Sequence, residues 1–528
     1  MSDDLDRIEQ IIDASGVADF ELLLPIGVRP RQLKLTTLLI GMTLTARAGR
    51  PALLTDVHTT LTGLPPEDQR RLGVLAQWKH AEHRLTYRQV EYTFDRLTNA
   101  LTKTTPDGTP SQRLTDVLDR LLEASVQVLG EPACSSYAVD WTDQATWSLP
   151  PPQTSTDTAT ANDPSTPEDH NATTSVESTT EQTPPSPACA DPEASWGHRR
   201  GDGPGHKDEL FYGYYLQAAT TVNDEHGPPV PELARRIHLS SCDHDPPAAF
   251  VPVLQRMHHA GITISDVLAD SGYSYRIPET WALPLRALGI DLICDLHPND
   301  RGPHGTHHGA TCANGRLYCP ATPKTLLELG PLPRAASTEH TALHDAQCAE
   351  LARYKLSPIT RPDPDGYHRV ACPAAQSKLR CPLRPESITL PHDRPTVTSP
   401  PEHPPVCCTQ HTITVPPTVN AKTAQKHDYP SPAHRTSYNR RTAAERTFAT
   451  LTDRATTDLS RGWCRQMGLT ANALHIATEL IARNIRVADT FTNRQLENQR
   501  RANRGLPPRT RTRRRTTIHD LLATAHAP

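Results

Sequence analysis

The sequence predicts an α/β fold, and three observations predict it. Between residues 135 and 296, strand-like and helix-like segments follow one another as β-β-β-α-β-α-β. Such an order builds a sheet with helices on its faces and functional residues at strand ends. Helical patterns flank this run on both sides, up to about residue 130 and again from Arg435. Finally, 51 Pro and only 5% aromatic residues in 528 argue for long irregular segments between the packed parts.

Taken in order, residues 33–44 are apolar, and residues 85–101 carry the clearest helix signal. Thr86 and Gln89 form a T-x-x-Q capping box, and Val90, Phe94, Leu97 and Leu101 follow at helical spacing. Arg84, Arg88 and Arg96 lie near it, so this helix fits the recognition helix of a helix-turn-helix unit as well as an ordinary helical domain. A further helix is predicted over 111–129. Residues 135–140, SSYAVD, are a β-type run ending in Asp140.

Residues 150–200 form a Pro/Thr-rich stretch, and 151–195 hold eight acidic residues without one Lys or Arg. With few large apolar side chains it cannot offset its ordering entropy, so a disordered acidic linker is expected. The core resumes with strands at 210–222 and 234–240 and a helix over 248–260. A buried strand at 262–269 ends in Asp270, just before Ser271-Gly272. A helix over 278–288 begins with Pro in its first turn, and 290–296 reads as a strand. The Cys-, His- and Pro-rich residues 297–430 read as a β-rich insertion. Helices return over 435–453 and 470–489, the latter with the stripe Leu474, Ala477, Ile481, Ile485.

Net charge is −4, which alone does not suggest a nucleic-acid binder, but its distribution is uneven. Without the acidic linker the remainder carries about +4, and 494–515 hold nine Arg against the single acid Glu497. Such a tail suits phosphate contact through counterion release; a solvated end without a role is the plainer reading. No apolar run reaches eighteen residues, so no transmembrane helix is expected. The start, MSDDLDRIEQ, lacks an h-region. Twelve Cys without a secretory signal suggest reduced thiols or metal ligands in a cytoplasmic protein.

The chemistry concentrates on residues 438–452. Read as one helix, capped by Thr436 or Ser437, this stretch puts Tyr438, Arg441, Glu445 and Thr452 within an arc of roughly 60°. Ala444, Phe448, Leu451 and Ala455 form the neighbouring apolar stripe. Alone, Arg441 and Glu445 make an ordinary i,i+4 pair. Asp140 and Asp270, each ending a strand-like run, change that reading. Two strand-end carboxylates facing a third on a helix suit a pair of Mg²⁺ or Mn²⁺ ions, which clamp both oxygens of an in-line phosphoryl displacement. Asp143, three residues on, competes with Asp140 as the first acid.

These residues resemble those of DDE-type insertion-sequence transposases with an RNase H-like catalytic core. In one branch the acid-bearing helix carries Tyr, two residues, Arg, three residues, Glu, six residues and Lys. Tyr438, Arg441 and Glu445 match at that spacing, and Thr452 stands where Lys is expected. Asp140 in AVDWTD and Asp270 in LADSGYS map onto the first two acids. The segments RTAAERTFATL and RGWCRQMGLT are similar to actinobacterial members.

The resemblance spans about 131–490, with the linker as an extra. It implies an N-terminal helical DNA-binding domain (1–130) and a core in three pieces (131–149, 201–296, 431–490). The acidic linker (150–200), the β-rich insertion (297–430) and a basic tail (491–528) complete the chain. It further implies Mg²⁺- or Mn²⁺-dependent DNA cleavage and strand transfer, with two ions on Asp140, Asp270 and Glu445. Tyr438 and Arg441 would contact a DNA phosphate, the planar guanidinium bidentately, with Thr452 offering a hydroxyl in place of a cation and Arg446 or Arg454 as stand-ins. The partners implied are terminal repeats, target DNA and a second copy of the chain. Separately, Cys312, Cys319, Cys372 and Cys381 are candidates for structural zinc, with Cys407-Cys408 nearby. The run GPHGTHHG at 302–309 reads as a solvated loop.

Overall fold

The computed structural model describes residues 2–23, 33–51, 53–78, 81–102, 111–151, 189–199, 209–333, 335–453 and 455–509. Most of the expected linker, the basic tail beyond 509, and Arg454 lie outside them. The fold is mixed α/β, organised on a six-stranded sheet. Ahead of this sheet comes a small hairpin, β1 (Leu75–Trp78) and β2 (Ala81–Arg84). The sheet itself contains β3 (Ser136–Ala145), β4 (Ser195–Arg199), β5 (Glu209–Val222), β6 (Ala234–Ser241), β7 (Asp266–Ala269) and β8 (Asp291–Cys294).

Its order runs β4-β5-β3-β7-β8, with β6 also on β5. The 14-residue β5 is long enough for two neighbours on one edge: β4 pairs from Glu209 to Gly213 and β6 from Tyr214 to Thr220. β5 runs antiparallel to β3 and β6, whereas β3, β7 and β8 are mutually parallel. β3 alternates cleanly. Tyr137, Val139 and Trp141 pack with Phe250 and Leu254 of the helix Pro246–His259, while Ala138 meets Ala443 and Ala444 across the other face. Period-two geometry therefore turns Asp140 towards the Ala443 side.

The helices Ser2–Ala14, Leu35–Arg47, Tyr87–Leu101 and Gln112–Leu129 share one apolar cluster with Leu216 and Leu239 of the sheet and Leu474 and Ile481 of the helix Leu469–Asn503. The N-terminal helices thus cover one face of the core sheet. The Tyr87–Leu101 helix starts at the expected capping box, with the Thr86 N–H donating to the Gln89 amide oxygen at 2.8 Å. The shorter helix before it, Pro66–Arg71, is separated from it by the β1–β2 hairpin and not by a tight turn. The outward face of the Tyr87–Leu101 helix mixes Arg88 and Arg96 with Glu91 and Asp95.

Two expectations about boundaries need correction. The segment around Glu445 is not one helix from Tyr438. It comprises the helix Pro432–Tyr438, a 3-10 turn Asn439–Arg441 and the helix Thr442–Leu451. The cap is Ser431, whose Oγ accepts the His434 N–H at 3.2 Å, because Pro432 at the first helical position moves the start upstream. Ala455 lies past the helix and is exposed.

The insertion holds two three-stranded sheets, Pro303–His307/Ala310–Ala313/Arg316–Tyr318 and Ser357–Pro358/His368–Ala371/Thr412–Val415. It also holds a 17-residue helix, Thr338–Tyr354, which its narrow buried stripe of His344, Cys348, Leu351 and Tyr354 had hidden. Among the described residues no helix is long and apolar enough to cross a membrane.

Candidate active site

Asp140 and Asp270 meet through strand register. β3 pairs with β7 as Ser136↔Asp266, Tyr137↔Val267 and Ala138↔Leu268. Two residues beyond the last pair, Asp140 and Asp270 lie close enough for their charges to interact. β3 itself continues to Ala145; what ends near Asp140 is its parallel neighbour, and this opens the sheet there. Asp270 caps the short helix Ser271–Ser274, its Oδ1 accepting the Gly272 N–H at 2.9 Å. A side chain at 272 would collide with the Trp141 ring, 2.4 Å from an ideal Cβ. Trp141 in turn lies against Tyr273, their ring centroids 4.8 Å apart, so glycine, indole and phenol together fix the turn that carries Asp270.

The 3-10 turn Asn439–Arg441 sends two consecutive arginines to opposite ends of the strands. Arg441 donates to Asp140 Oδ2 at 3.0 Å and also pairs with Glu445. Asp140 is therefore the acid bound by Arg441, while Asp143 is bound by Arg199. The Asp140 side chain is 16% exposed and that of Glu445 43%. Burial first, then the nearby Asp270, with a smaller push from Glu445, raise the Asp140 carboxyl to about 7 against the opposing Arg441 and Trp141 N–H. Asp140 thus feels both of the other acids predicted from sequence, and Arg441 joins it to Glu445.

Tyr438 is stacked on His434, and the Arg441 guanidinium lies 5.6 Å from the centre of its ring. Burial, before any charge, holds the Tyr438 hydroxyl well above the usual phenol range. Thr452 is exposed at the helix end, its hydroxyl donating to the Phe448 carbonyl at 3.2 Å. It lines a cleft of about 510 Å³ with Thr142, Asp143, Arg199 and Arg461. Among the described residues, the cations lining this cleft are Arg199 and Arg461. Arg446 points elsewhere, to Glu232, at 2.8 Å from Nε.

Sequence reasoning missed two features. Asp295 follows β8, and the register Ala269↔Cys294 sets it beside Asp270. Three adjacent parallel strands thus present Asp140, Asp270 and Asp295 in a row. Asp295 accepts the Tyr429 hydroxyl at 2.8 Å and meets Arg301 at 3.4 Å. The run ICDLH, an apolar strand followed by an acid, carried the same signal as AVD and LAD. The second feature is Arg440, which reaches Asp266 at 3.3 Å, Ser136 Oγ at 3.0 Å and the Asn223 carbonyl at 3.0 Å at the starts of β3 and β7.

Among the described residues, no group of three or more His, Cys, Asp or Glu side chains is set to hold a metal ion. Around Asp140 the geometry gives the reason, since Arg441 occupies the carboxylates. The donor set is nonetheless of hard oxygens, and the cost of burying Asp140 next to Asp270 is the kind a divalent cation relieves. Compared with known proteins, the chain matches no family model, no curated protein and no solved structure.

Proposed function

We propose that the protein is a transposase of the DDE type, cutting DNA at the ends of an insertion sequence and joining the freed ends to target DNA. The observation that carries this reading is the register-matched pair Asp140 and Asp270 beside the Arg441–Glu445 pair of the facing helix. Apart from the short edge strand β4, three antiparallel strands (β3, β5, β6) followed by two parallel ones (β7, β8), each reached through a helix, further support an RNase H-like core.

On this reading Asp140, Asp270 and Glu445 hold Mg²⁺ or Mn²⁺. Two such ions would polarise the scissile phosphate and activate the attacking water or 3′ hydroxyl. The protein's own residues have distinct tasks. Asp140, already costly to ionise, gives up its proton readily only when positive charge arrives. Arg441, delocalised and planar, changes partner from carboxylate to phosphate. Tyr438 holds the guanidinium from below. Arg199 and Arg461 line the cleft in which a DNA backbone would continue past Thr452. The exposed Arg88, the half-buried Arg96 and the basic tail would add phosphate contacts, and two copies of the chain would bring two ends together.

Thr452 favours a second reading, a transposase-derived DNA-binding protein with impaired cleavage, since a neutral hydroxyl stands where the resembled branch has a cation. A nuclease without strand transfer is separated by the products. The test is cleavage of the element's own terminal repeats with and without Mg²⁺. Glu445→Gln should abolish cleavage and leave end binding largely intact. Equal cleavage by that variant would sink the assignment, and end binding without cleavage by the unaltered protein would favour the second reading.

A further inference from the structure

The last residues of the insertion return along the open edge of the core sheet. The edge strand there is β8. The Lys426 N–H donates to the Leu292 carbonyl at 3.0 Å, and the Cys294 N–H donates to the Gln425 side-chain oxygen at 2.7 Å. The Cys294 carbonyl, at the end of that edge, accepts from His434 Nε2 at 2.9 Å. A carbonyl can only accept, so this bond keeps the imidazole proton on Nε2. Burial lowers His434 to about 4 against the pull of that carbonyl, so the ring is neutral at ordinary pH.

Ring contacts run from His434 in two directions. On one side Tyr429 meets it at 73°, with centroids 4.9 Å apart, and the Tyr429 hydroxyl donates to Asp295 at 2.8 Å. On the other side Tyr438, four residues along the same helix face, lies nearly parallel to it, at 11° and 5.6 Å. The Arg441 guanidinium sits 5.6 Å from the centre of the Tyr438 ring and reaches Asp140 Oδ2 at 3.0 Å. Tyr438 is also the last residue of the helix Pro432–Tyr438 before the 3-10 turn Asn439–Arg441. How its ring is held therefore bears on where that turn sends Arg441.

We infer that His434 is a positioning residue for Arg441: its ring holds Tyr438, and through it the guanidinium, while Cys294 and Tyr429 anchor the stack to β8 and to the end of the insertion. His434 is 3% exposed, too deep to meet a substrate itself, so it acts only through Tyr438. An aliphatic residue would fill the space but would leave the Cys294 carbonyl unpaired and give Tyr438 no flat surface. The insertion and the acid row are thereby joined: a displacement at Tyr429 is felt two rings away at Arg441. The benefit to phosphate binding, a guanidinium held ready in place, rests on the proposed function; the stack itself does not.

The experiment compares His434→Gln with His434→Phe in the full chain. Glutamine can still donate to the Cys294 carbonyl but offers no ring; phenylalanine keeps the ring and loses the bond. Hydrogen exchange over residues 438–445 should quicken in His434→Gln and stay near the parent in His434→Phe. On the proposed function, a duplex of the terminal repeat should bind His434→Gln about tenfold more weakly and His434→Phe within about twofold of the parent. In an Arg441→Ala background His434→Gln should cost no further end binding, because the residue it positions is gone. Parent-like exchange in His434→Gln, equal impairment of the two variants, or an additive loss in the Arg441→Ala background would overturn the assignment. If His434→Gln does not fold, His434→Leu takes its place; quickened exchange is again expected, and parent-like exchange refutes the role. A parent protein that does not bind the ends counts against the transposase reading alone, since the exchange comparison decides the role of His434 without DNA.

Discussion

Arg440 and Arg441 are adjacent in sequence and opposite in consequence, and substituting each by alanine should separate them. Arg440 has a side chain only 8% exposed, and its partner Asp266 is 1% exposed. Truncating it leaves a buried carboxylate short of a cation and also removes the bonds to Ser136 and Asn223. Breaking a buried pair on one side typically costs ~3–5 kcal/mol. Lys426 also reaches Asp266, at 2.7 Å, so the loss for Arg440→Ala should fall at the low end, about 3 kcal/mol.

Arg441→Ala is different. The carboxyl it abandons is already raised to about 7 and can take up a proton. The other, Glu445, is 43% exposed and stays hydrated. A loss below about 1 kcal/mol is expected, together with loss of end binding on the proposed function. The assay is denaturant unfolding of both variants, with hydrogen exchange to locate the change. Faster exchange should appear in β3, β7 and the helix Thr442–Leu451 for Arg440→Ala only. Equal destabilisation by the two variants, or an Arg440→Ala protein as stable as the parent, would refute this account.

Three further outcomes follow from other parts of the molecule. Gly272→Ala forces a Cβ against the Trp141 ring; a shifted Trp fluorescence and, on the proposed function, a fall in Mg²⁺-dependent cleavage are expected, and an unchanged spectrum would contradict the packing. Burial raises the Glu479 carboxyl to about 8, so the folded state binds the extra proton between the unfolded value of about 4.5 and pH 8. Stability should therefore fall as pH rises through that window, by on the order of a few kcal/mol, and Glu479→Gln should flatten the slope in unfolding midpoints taken at pH 5 to 8. Thr452→Lys adds a cation in the cleft of Arg199 and Arg461; on the proposed function, end binding should tighten several-fold at low salt and converge with the parent as salt rises, which mobility shifts at two ionic strengths will read.

Elements with an undivided local signal were legible in the sequence. The Tyr87–Leu101 helix had its cap and its stripe in one continuous window, and β5 was a long aromatic and β-branched run. Asp140 and Asp270 were visible because an acid directly after an apolar strand is a local pattern. What failed were features whose cause lies elsewhere in the chain. The break at Asn439–Arg441 follows from two arginines seeking carboxylates at opposite ends of the sheet, which helical periodicity of 438–452 does not register. The Thr338–Tyr354 helix buries only a thin stripe, so its apolar period was weak.

Arg441 also explains how three carboxylates can share a region before any cation or DNA arrives. Asp140 and Asp270 repel, and burial sharpens that repulsion because little water screens it. One guanidinium bridging Asp140 and Glu445 offsets part of the cost, and the proton held by Asp140 offsets more. On the proposed function, a metal pair would replace both devices at once, expelling the proton and releasing the guanidinium towards a phosphate. Cation uptake and DNA grip would then be linked through one side chain. The linkage has a direct consequence: Mg²⁺ should release protons on binding below about pH 7, and should tighten end binding more in the parent than in Arg441→Lys, whose point charge pairs with a single oxygen.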